Sequence, residues 1–191
     1  MNTDLKIVFA GPPQSGKTEI ADIVAAISSG FQGDTKPTFC VRILEFSATI
    51  DVNALQRTIS AQIWDTSGDE KYRAAWPAIA HKADGVVFVY NAFDKNQGRQ
   101  MEAYVKAFAS NVSNGQIMVV ANKKGEGERP VKPKIQNLEK MQLVIADPKE
   151  SLDDFLDSFN HFLGRVQEAK VRKIENRERE LIGERVNDEE E

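Results

Sequence analysis

The octapeptide GPPQSGKT at Gly11–Thr18, directly behind the apolar run LKIVFA, constrains this chain more than any other stretch. It fits G-x-x-x-x-G-K-S/T without a mismatch. That pattern carries a mechanism: the loop turns its backbone N–H groups inward around an anion, at the N-terminus of the helix that follows. Gly11 and Gly16 permit the tight backbone, and Gln14 and Ser15 complete the phosphate-binding curl between them. Lys17 reaches the β- and γ-phosphates, and the Thr18 hydroxyl coordinates Mg²⁺. With a strand before it and a helix behind it, the stretch reads as a nucleoside triphosphate site.

The remainder of the chain supplies that context. Short β-branched or apolar runs recur at Leu5–Ala10, Phe39–Phe46, Thr58–Trp64, Gly85–Tyr90, Gln116–Ala121 and Met141–Ala146. Helical periodicity fills Lys17–Ser28, Gln97–Val112 and a long segment from Glu150. GVVFVY and QIMVVA are apolar on both faces, as strands covered by helices on both sides must be. TISAQIW instead alternates, with Ile59, Ala61 and Ile63 on one face. Strand and helix in alternation predict an α/β domain with a mostly parallel sheet.

Composition narrows the class. With 41% hydrophobic and 28% charged residues and a net charge of −4, nothing in the overall balance calls for nucleic acid. No apolar run approaches the roughly 18 residues that span a bilayer. Cys40 is the one cysteine, which excludes an internal disulfide and fits a reducing compartment. It reads as a small side chain in a strand. The C-terminus ends VNDEEE without a cysteine to prenylate, and the second residue is Asn2 rather than the Gly that myristoylation requires. No direct lipid anchor is expected, so membrane contact would come through a partner.

Two segments stand apart. Leu152, Phe155, Leu156, Phe159, Phe162, Leu163 and Val166 fall at three- and four-residue spacing, one buried stripe of a helix on the sheet. From Arg165 onward charges of both signs dominate, and Ile174 and Leu181 stand seven apart. A globular domain over 1–165 and a charged helical extension with an acidic tail over 166–191 are expected. The favoured reading of the extension is a solvated, fraying helix; the other is a helix docking on a partner through Ile174, Leu181 and Ile182, ended by Gly183. The Gly-, Pro- and Lys-rich loop Asn122–Lys134, with five basic against two acidic residues, reads as an exposed solubilising loop.

Two further stretches belong with the phosphate loop. IWDTSGDEKYR places Asp65 at the carboxyl end of an alternating strand, where a phosphate-loop protein holds Mg²⁺, usually through water. Gly68 there can offer its N–H to a γ-phosphate, and Thr38 in TKPTFC is placed to add a second hydroxyl to the metal. In this order and spacing the residues resemble the Ras-like small GTPases, nearest the Rab-like group, over Leu5–Arg165. The resemblance implies a three-layer Ras-like P-loop NTPase fold: six strands, one antiparallel, with five flanking helices. It implies GTP or GDP with Mg²⁺ as cofactors, Thr18, Thr38 and Asp65 as metal ligands, and switches at about Phe31–Phe39 and Asp65–Trp76. ANKK resembles the start of the guanine-reading motif, with Asn122 and Lys123 beside the base. Ala146 in VIADP resembles the Ala whose backbone contacts the guanine oxygen, and Phe31 would stack on the ring.

Three departures from that family carry information. Asp69 stands where the family has the Gln that orients the attacking water. Gly68 and Asp69 thus fill the catalytic positions with a shorter anion near the γ-phosphate, and intrinsic hydrolysis should be slow. Gly125 stands where an Asp accepts two hydrogen bonds from guanine, so base discrimination should fall unless Glu126 or Asp147 substitutes. The Ser of the last motif and the lipidated Cys tail are also missing.

Together with the tail, these departures are similar to the Rab-like subunits of the intraflagellar transport B complex. That resemblance implies a small subunit docked on the coiled-coil subunits of the complex, in the cytoplasm and the cilium or flagellum, supporting assembly of that organelle. A conventional GTP-hydrolysing switch in vesicle trafficking is the alternative. A small-molecule phosphate-loop kinase is more distant, since WDTSG and the lack of an evident Arg-rich lid argue against it.

The remaining conspicuous residues have plainer readings. Trp64 reads as core. Trp76, with Tyr72 and Ala75, divides between an exposed effector patch and packing on the neighbouring helix. His81 and His161 show no metal spacing, and His161 reads as a surface residue.

Overall fold

Six of these runs pair into one sheet. In the computed structural model, which describes residues 4–26, 37–52, 55–110, 112–124, 127, 129–136, 140–147 and 151–181, the strands are β1 (Leu5–Ala10), β2 (Val41–Val52), β3 (Leu55–Thr66), β4 (Gly85–Asn91), β5 (Ile117–Asn122) and β6 (Gln142–Ala146). Their spatial order is β2-β3-β1-β4-β5-β6. Every neighbouring pair is parallel except β2 with β3. Because β1, β3, β4, β5 and β6 run the same way, the ends of all five open onto one edge. Open parallel sheets place ligands at that edge.

The helices are α1 (Lys17–Ala26), α2 (Trp76–Ala80), α3 (Lys95–Phe108) and α4 (Leu152–Leu181). α1 and α4 cover one face, where Phe159 meets Phe9 and Phe46 at ring-centroid distances of 6.2 and 6.3 Å. α2 and α3 cover the other, with Trp76, Met101 and Phe108 among the side chains packed on Val8, Phe88 and Val119. Each such buried side chain contributes about 1.5–3 kcal/mol of transfer free energy. The expected three layers are present. β4 and β5 are buried almost throughout, as their unbroken apolar runs predicted.

Four details differ from the sequence reading, each for a local reason. The β2–β3 hairpin is longer at both strands, its register running from Val41↔Thr66 to Val52↔Leu55. Phe46 and Ile50 turn inward while Ser47, Thr49 and Asp51 face solvent, so a half-polar alternation extends the ladder beyond the apolar run. α3 begins earlier because the Asp94 carboxylate accepts hydrogen bonds from the Asn96 and Gln97 N–H groups as its N-cap. It ends at Phe108, before the expected Val112.

The third difference is the crossover from β5 to β6, whose stretch Asn122–Lys134 the sequence reads as an exposed solubilising loop. Its described residues contain no α-helix, since Gly127, Pro130 and Pro133 interrupt any helical ladder. Nor is this segment simply an exposed loop. Val131 N donates to Ala92 O at 2.7 Å, Lys134 N to Gly98 O at 2.9 Å, and the Tyr90 hydroxyl to Val131 O at 2.7 Å. Pro133 is buried, while Lys132 and Lys134 project outward. The segment is a strap tied to β4 and α3.

Fourth, α4 passes without interruption through residue 165, where the sequence reading set its boundary. Val166 lies in the core, and Lys170 Nζ donates to Asp4 O at 2.7 Å and pairs with Asp84 at 2.8 Å. From Arg172 the described helix is mostly exposed, with Ile174 half-buried. Ile182, Gly183 and the acidic tail fall outside the described residues. No helix among the described residues is long and apolar enough to cross a membrane.

Candidate nucleotide and metal site

The phosphate loop follows β1 and curls over the sheet edge. Gly11 and Gly16 have φ of 146° and 86°, and Gln14 also adopts a left-handed backbone at 60°. A Cβ on Gly16 would stand 2.1 Å from Asn122 Nδ2, so the position is closed to any larger residue. Two side chains from distant elements brace the curl. Asn122, at the end of β5, donates from Nδ2 to Ser15 O at 3.1 Å. Gln97, on the first turn of α3, donates from Nε2 to Pro13 O at 3.1 Å while its Oε1 accepts from Asn91 N at 2.8 Å. Sequence spacing singles out Asn122 but not Gln97; a buried Gln is visible only in three dimensions.

Lys17 is buried, and its Nζ donates to Pro12 O at 2.7 Å and lies 3.4 Å from Ser15 Oγ. Burial pulls its ammonium down to about 8, with the nearby Asp65 charge acting the other way. A buried cation held by neutral oxygens is poised for an anion. The cleft around it has a volume of about 460 Å³ and is lined by Gly16, Lys17, Thr18, Thr38, Gly68 and Lys124 among others. That size suits a small-molecule ligand.

The three expected metal ligands converge. Thr18 Oγ1 stands 2.9 Å from Thr38 Oγ1, and both hydroxyls donate to Asp65 Oδ2, at 2.9 and 3.1 Å. The other carboxylate oxygen, Asp65 Oδ1, is buried with no hydrogen-bond partner among the described residues. Two hydroxyls and a carboxylate with an unused oxygen fit a hard cation such as Mg²⁺. Burial raises the Asp65 carboxyl above its ordinary value, against the Thr18 hydrogen bond and the Arg42 charge. A cation there would favour the ionised form. Arg42 itself, opposite Asp65 in the β2–β3 register, reaches Asp65 at 3.4 Å and Asp22 of α1 at 2.6 Å.

Switch II lies against the loop. A Cβ on Gly68 would stand 2.4 Å from Pro13 N, so only glycine allows this approach. The Tyr104 hydroxyl, buried on α3, donates to Gly68 O at 2.9 Å, and burial pushes its pKa up to about 12. Asp69 is engaged elsewhere: its carboxylate accepts from Lys71 N at 3.0 Å and pairs with Lys71 Nζ at 2.8 Å, capping the 3₁₀ turn Glu70–Ala75. Those bonds from Lys71 hold its carboxyl below the usual range. Tyr104→Phe should loosen this attachment by about 1 kcal/mol. The expected result is faster amide hydrogen exchange over Gly68–Lys71 with the global melting temperature nearly unchanged.

At the base end, β5 and β6 bring Asn122, Lys123 and Ala146 together, with Lys123 N donating to Ala146 O at 2.9 Å. Asn122 Oδ1 is a buried acceptor with no partner among the described residues. Asp147, a candidate replacement for the missing base-reading Asp, pairs with Lys123 Nζ at 3.4 Å. Phe31, Gly125 and Glu126 lie outside the described residues, as does most of switch I before Pro37.

The aromatic residues separate cleanly. Trp76 is 3% exposed and packs on Tyr104 and Phe108 at 4.9 and 5.4 Å, so it belongs to the α2–α3 core and not to a surface patch. Trp64 is half-buried under the Lys6 ammonium rather than fully core. Phe39, by contrast, is 81% exposed and meets Tyr72 edge-on at 5.3 Å; Ile43 on β2 is also exposed. His81 and His161 are both exposed. Cys40 sits at a bend before β2 with φ of 54° rather than within a strand, and its carbonyl accepts from Ser67 N at 2.8 Å.

Comparison with known proteins agrees with this geometry. The family model described as Roc, "Ras of Complex, Roc, domain of DAPkinase", matches residues 6–125, well over half of the chain. An intraflagellar transport protein 22 homolog of Danio rerio is 29% identical over 183 residues, covering 93% of this chain and 98% of that one. The Bos taurus homolog is 30% identical over 177 residues, with 88% and 95% covered. Among solved structures, the GDP-bound Trypanosoma brucei IFT22 crystal structure aligns with a TM-score of 0.66 at 21% identity, covering 88% of this chain and 99% of that one. The GTP-bound T. brucei IFT22/74/81 crystal structure aligns at 0.72 and 22% identity, covering 90% and 99%. At such identities these structures speak for the fold. The chain belongs to the Ras-like family that the Roc description covers and, within it, to the intraflagellar transport protein 22 family.

Proposed function

We propose that this chain binds GTP or GDP with Mg²⁺ in the cleft between the phosphate loop and the switches, and uses the bound nucleotide to hold a docking surface for the intraflagellar transport B complex. One observation carries the reading: Thr38, one of the three converging side chains that are candidate metal ligands, is followed directly by Phe39, the most exposed large apolar side chain among the described residues. Whatever fixes the Thr38 hydroxyl therefore fixes the root of the exposed Phe39 side chain and its contact with Tyr72. The relative captured with IFT74 and IFT81 is GTP-bound, which is consistent with such coupling. On this reading the partner is a coiled-coil subunit pair, and the chain works in the cytoplasm and the cilium or flagellum, supporting assembly of that organelle.

The residues divide the work. Lys17 and the loop N–H groups bind the phosphates. Thr18, Thr38 and Asp65 would hold Mg²⁺, which when bound offsets phosphate charge. Asn122, Lys123 and Ala146 form the floor for the base. With Asp69 in place of a water-orienting Gln, and its carboxylate paired with Lys71, intrinsic hydrolysis is slow on this reading. Asp69→Gln should raise the single-turnover hydrolysis rate by about tenfold or more. An unchanged rate would argue that the deficit lies elsewhere.

The decisive test is partner binding by the nucleotide-free, GDP-loaded and GTP-loaded chain, measured by calorimetry against the purified coiled-coil pair. Tightest binding of the GTP form is expected. Identical binding in all three states refutes the coupling. The conventional switch in vesicle trafficking would instead require rapid cycling, which the Asp69 position disfavours.

A further inference from the structure

We infer that Arg42 is a built-in cation of the metal site, shared between Asp22 and Asp65, which lets the chain retain its nucleotide with reduced dependence on Mg²⁺. The inference rests on the reading of the cleft as a nucleotide and Mg²⁺ site. Its own support is geometric. Arg42 and Asp65 are directly opposed on the antiparallel β2–β3 pair, and the Arg42 Nη2 lies 3.4 Å from Asp65 Oδ2. The same Nη2 donates to Asp22 Oδ1 at 2.6 Å, on the helix that carries Thr18. Asp65 Oδ2 is thus surrounded by three donors, the Thr18 and Thr38 hydroxyls and the guanidinium, while Oδ1 is left for another cation.

The electrostatics follow from this placement. Asp65 is fully buried, and its negative charge close to bound phosphates is repulsive wherever no cation intervenes. A divalent ion removes that repulsion. Arg42 removes part of it without one, because a guanidinium stays charged at any working pH. Asp22 competes for the same guanidinium and makes the shorter contact. Removing Arg42 and removing the charge of Asp22 should consequently have opposite effects. A merely structural brace between α1 and β2 would be weakened by both changes alike.

The test uses the full chain loaded with N-methylanthraniloyl-GTP, comparing its release rate in excess Mg²⁺ with that in EDTA. Arg42→Ala should increase the ratio of the EDTA rate to the Mg²⁺ rate by about tenfold relative to the unaltered chain. Asp22→Asn should decrease it, since the guanidinium is freed to settle on Asp65, and Arg42→Lys should stay nearer the unaltered chain than Arg42→Ala does. The inference is overturned if Arg42→Ala leaves the ratio unchanged, or if Arg42→Ala and Asp22→Asn move it the same way. Failure of the unaltered chain to retain the nucleotide in either buffer overturns the nucleotide reading and the inference together, an outcome distinct from the other two.

Discussion

Lys17→Ala is expected to weaken nucleotide binding by about 10²–10⁴-fold, the loss of two charge-assisted phosphate contacts. Lys17 projects its ammonium into the loop, where Pro12 O and Ser15 Oγ hold it. Lys124 lines the same cleft, close enough for its charge to bear on the Lys17 ammonium, but it stands outside the phosphate loop. Stability should change little, because the substitution removes a buried charge along with its hydrogen bonds. Calorimetric titration with GTP and GDP reads the affinity, and thermal melting without nucleotide reads the fold. If the partner coil is bound equally well by Lys17→Ala and the unaltered chain, nucleotide does not hold the docking surface.

Trp76→Ala is expected to cost about 3–5 kcal/mol, the usual penalty for deleting a buried tryptophan. That is a large part of the roughly 5–15 kcal/mol that separates a folded domain from its unfolded chain. Trp76 begins α2 and packs at a tilt against Tyr104 and Phe108, and Tyr104 in turn anchors Gly68. Its loss leaves a cavity directly behind switch II. Denaturant unfolding measures the cost. Trp76→Phe should recover most of it and leave partner binding intact. Phe39→Ala should do the reverse, keeping stability while weakening the partner complex, because that ring is exposed. If Trp76→Phe weakens partner binding as much as Phe39→Ala does, the division between core and surface is wrong.

The two tryptophans show where sequence reading reaches its limit. Both flank switch II, and the sequence alone left Trp76 divided between patch and core. The choice was settled by α3, whose Tyr104 and Phe108 lie far along the chain. Asp69 is a similar case. Its departure from the family pattern was legible, but its engagement with Lys71 is a matter of side-chain geometry. The crossover between β5 and β6 showed the same limit: the Gly and Pro content of Asn122–Lys134 spoke for an irregular loop, yet gave no sign that Tyr90 and Gly98 tie it down.

The phosphate loop and the alternation of strand and helix were legible in the chain alone, which also singled out Thr18, Thr38 and Asp65 as candidates. These are local patterns in which neighbours along the chain carry the chemistry. It took the folded chain to show that Gln97 and Asn122 brace the loop, that Tyr104 anchors Gly68, and that Arg42 stands between Asp22 and Asp65. The reason is physical. A parallel sheet gathers the ends of separated strands at one edge, and a charge acts across a few ångströms of space whatever the number of residues between.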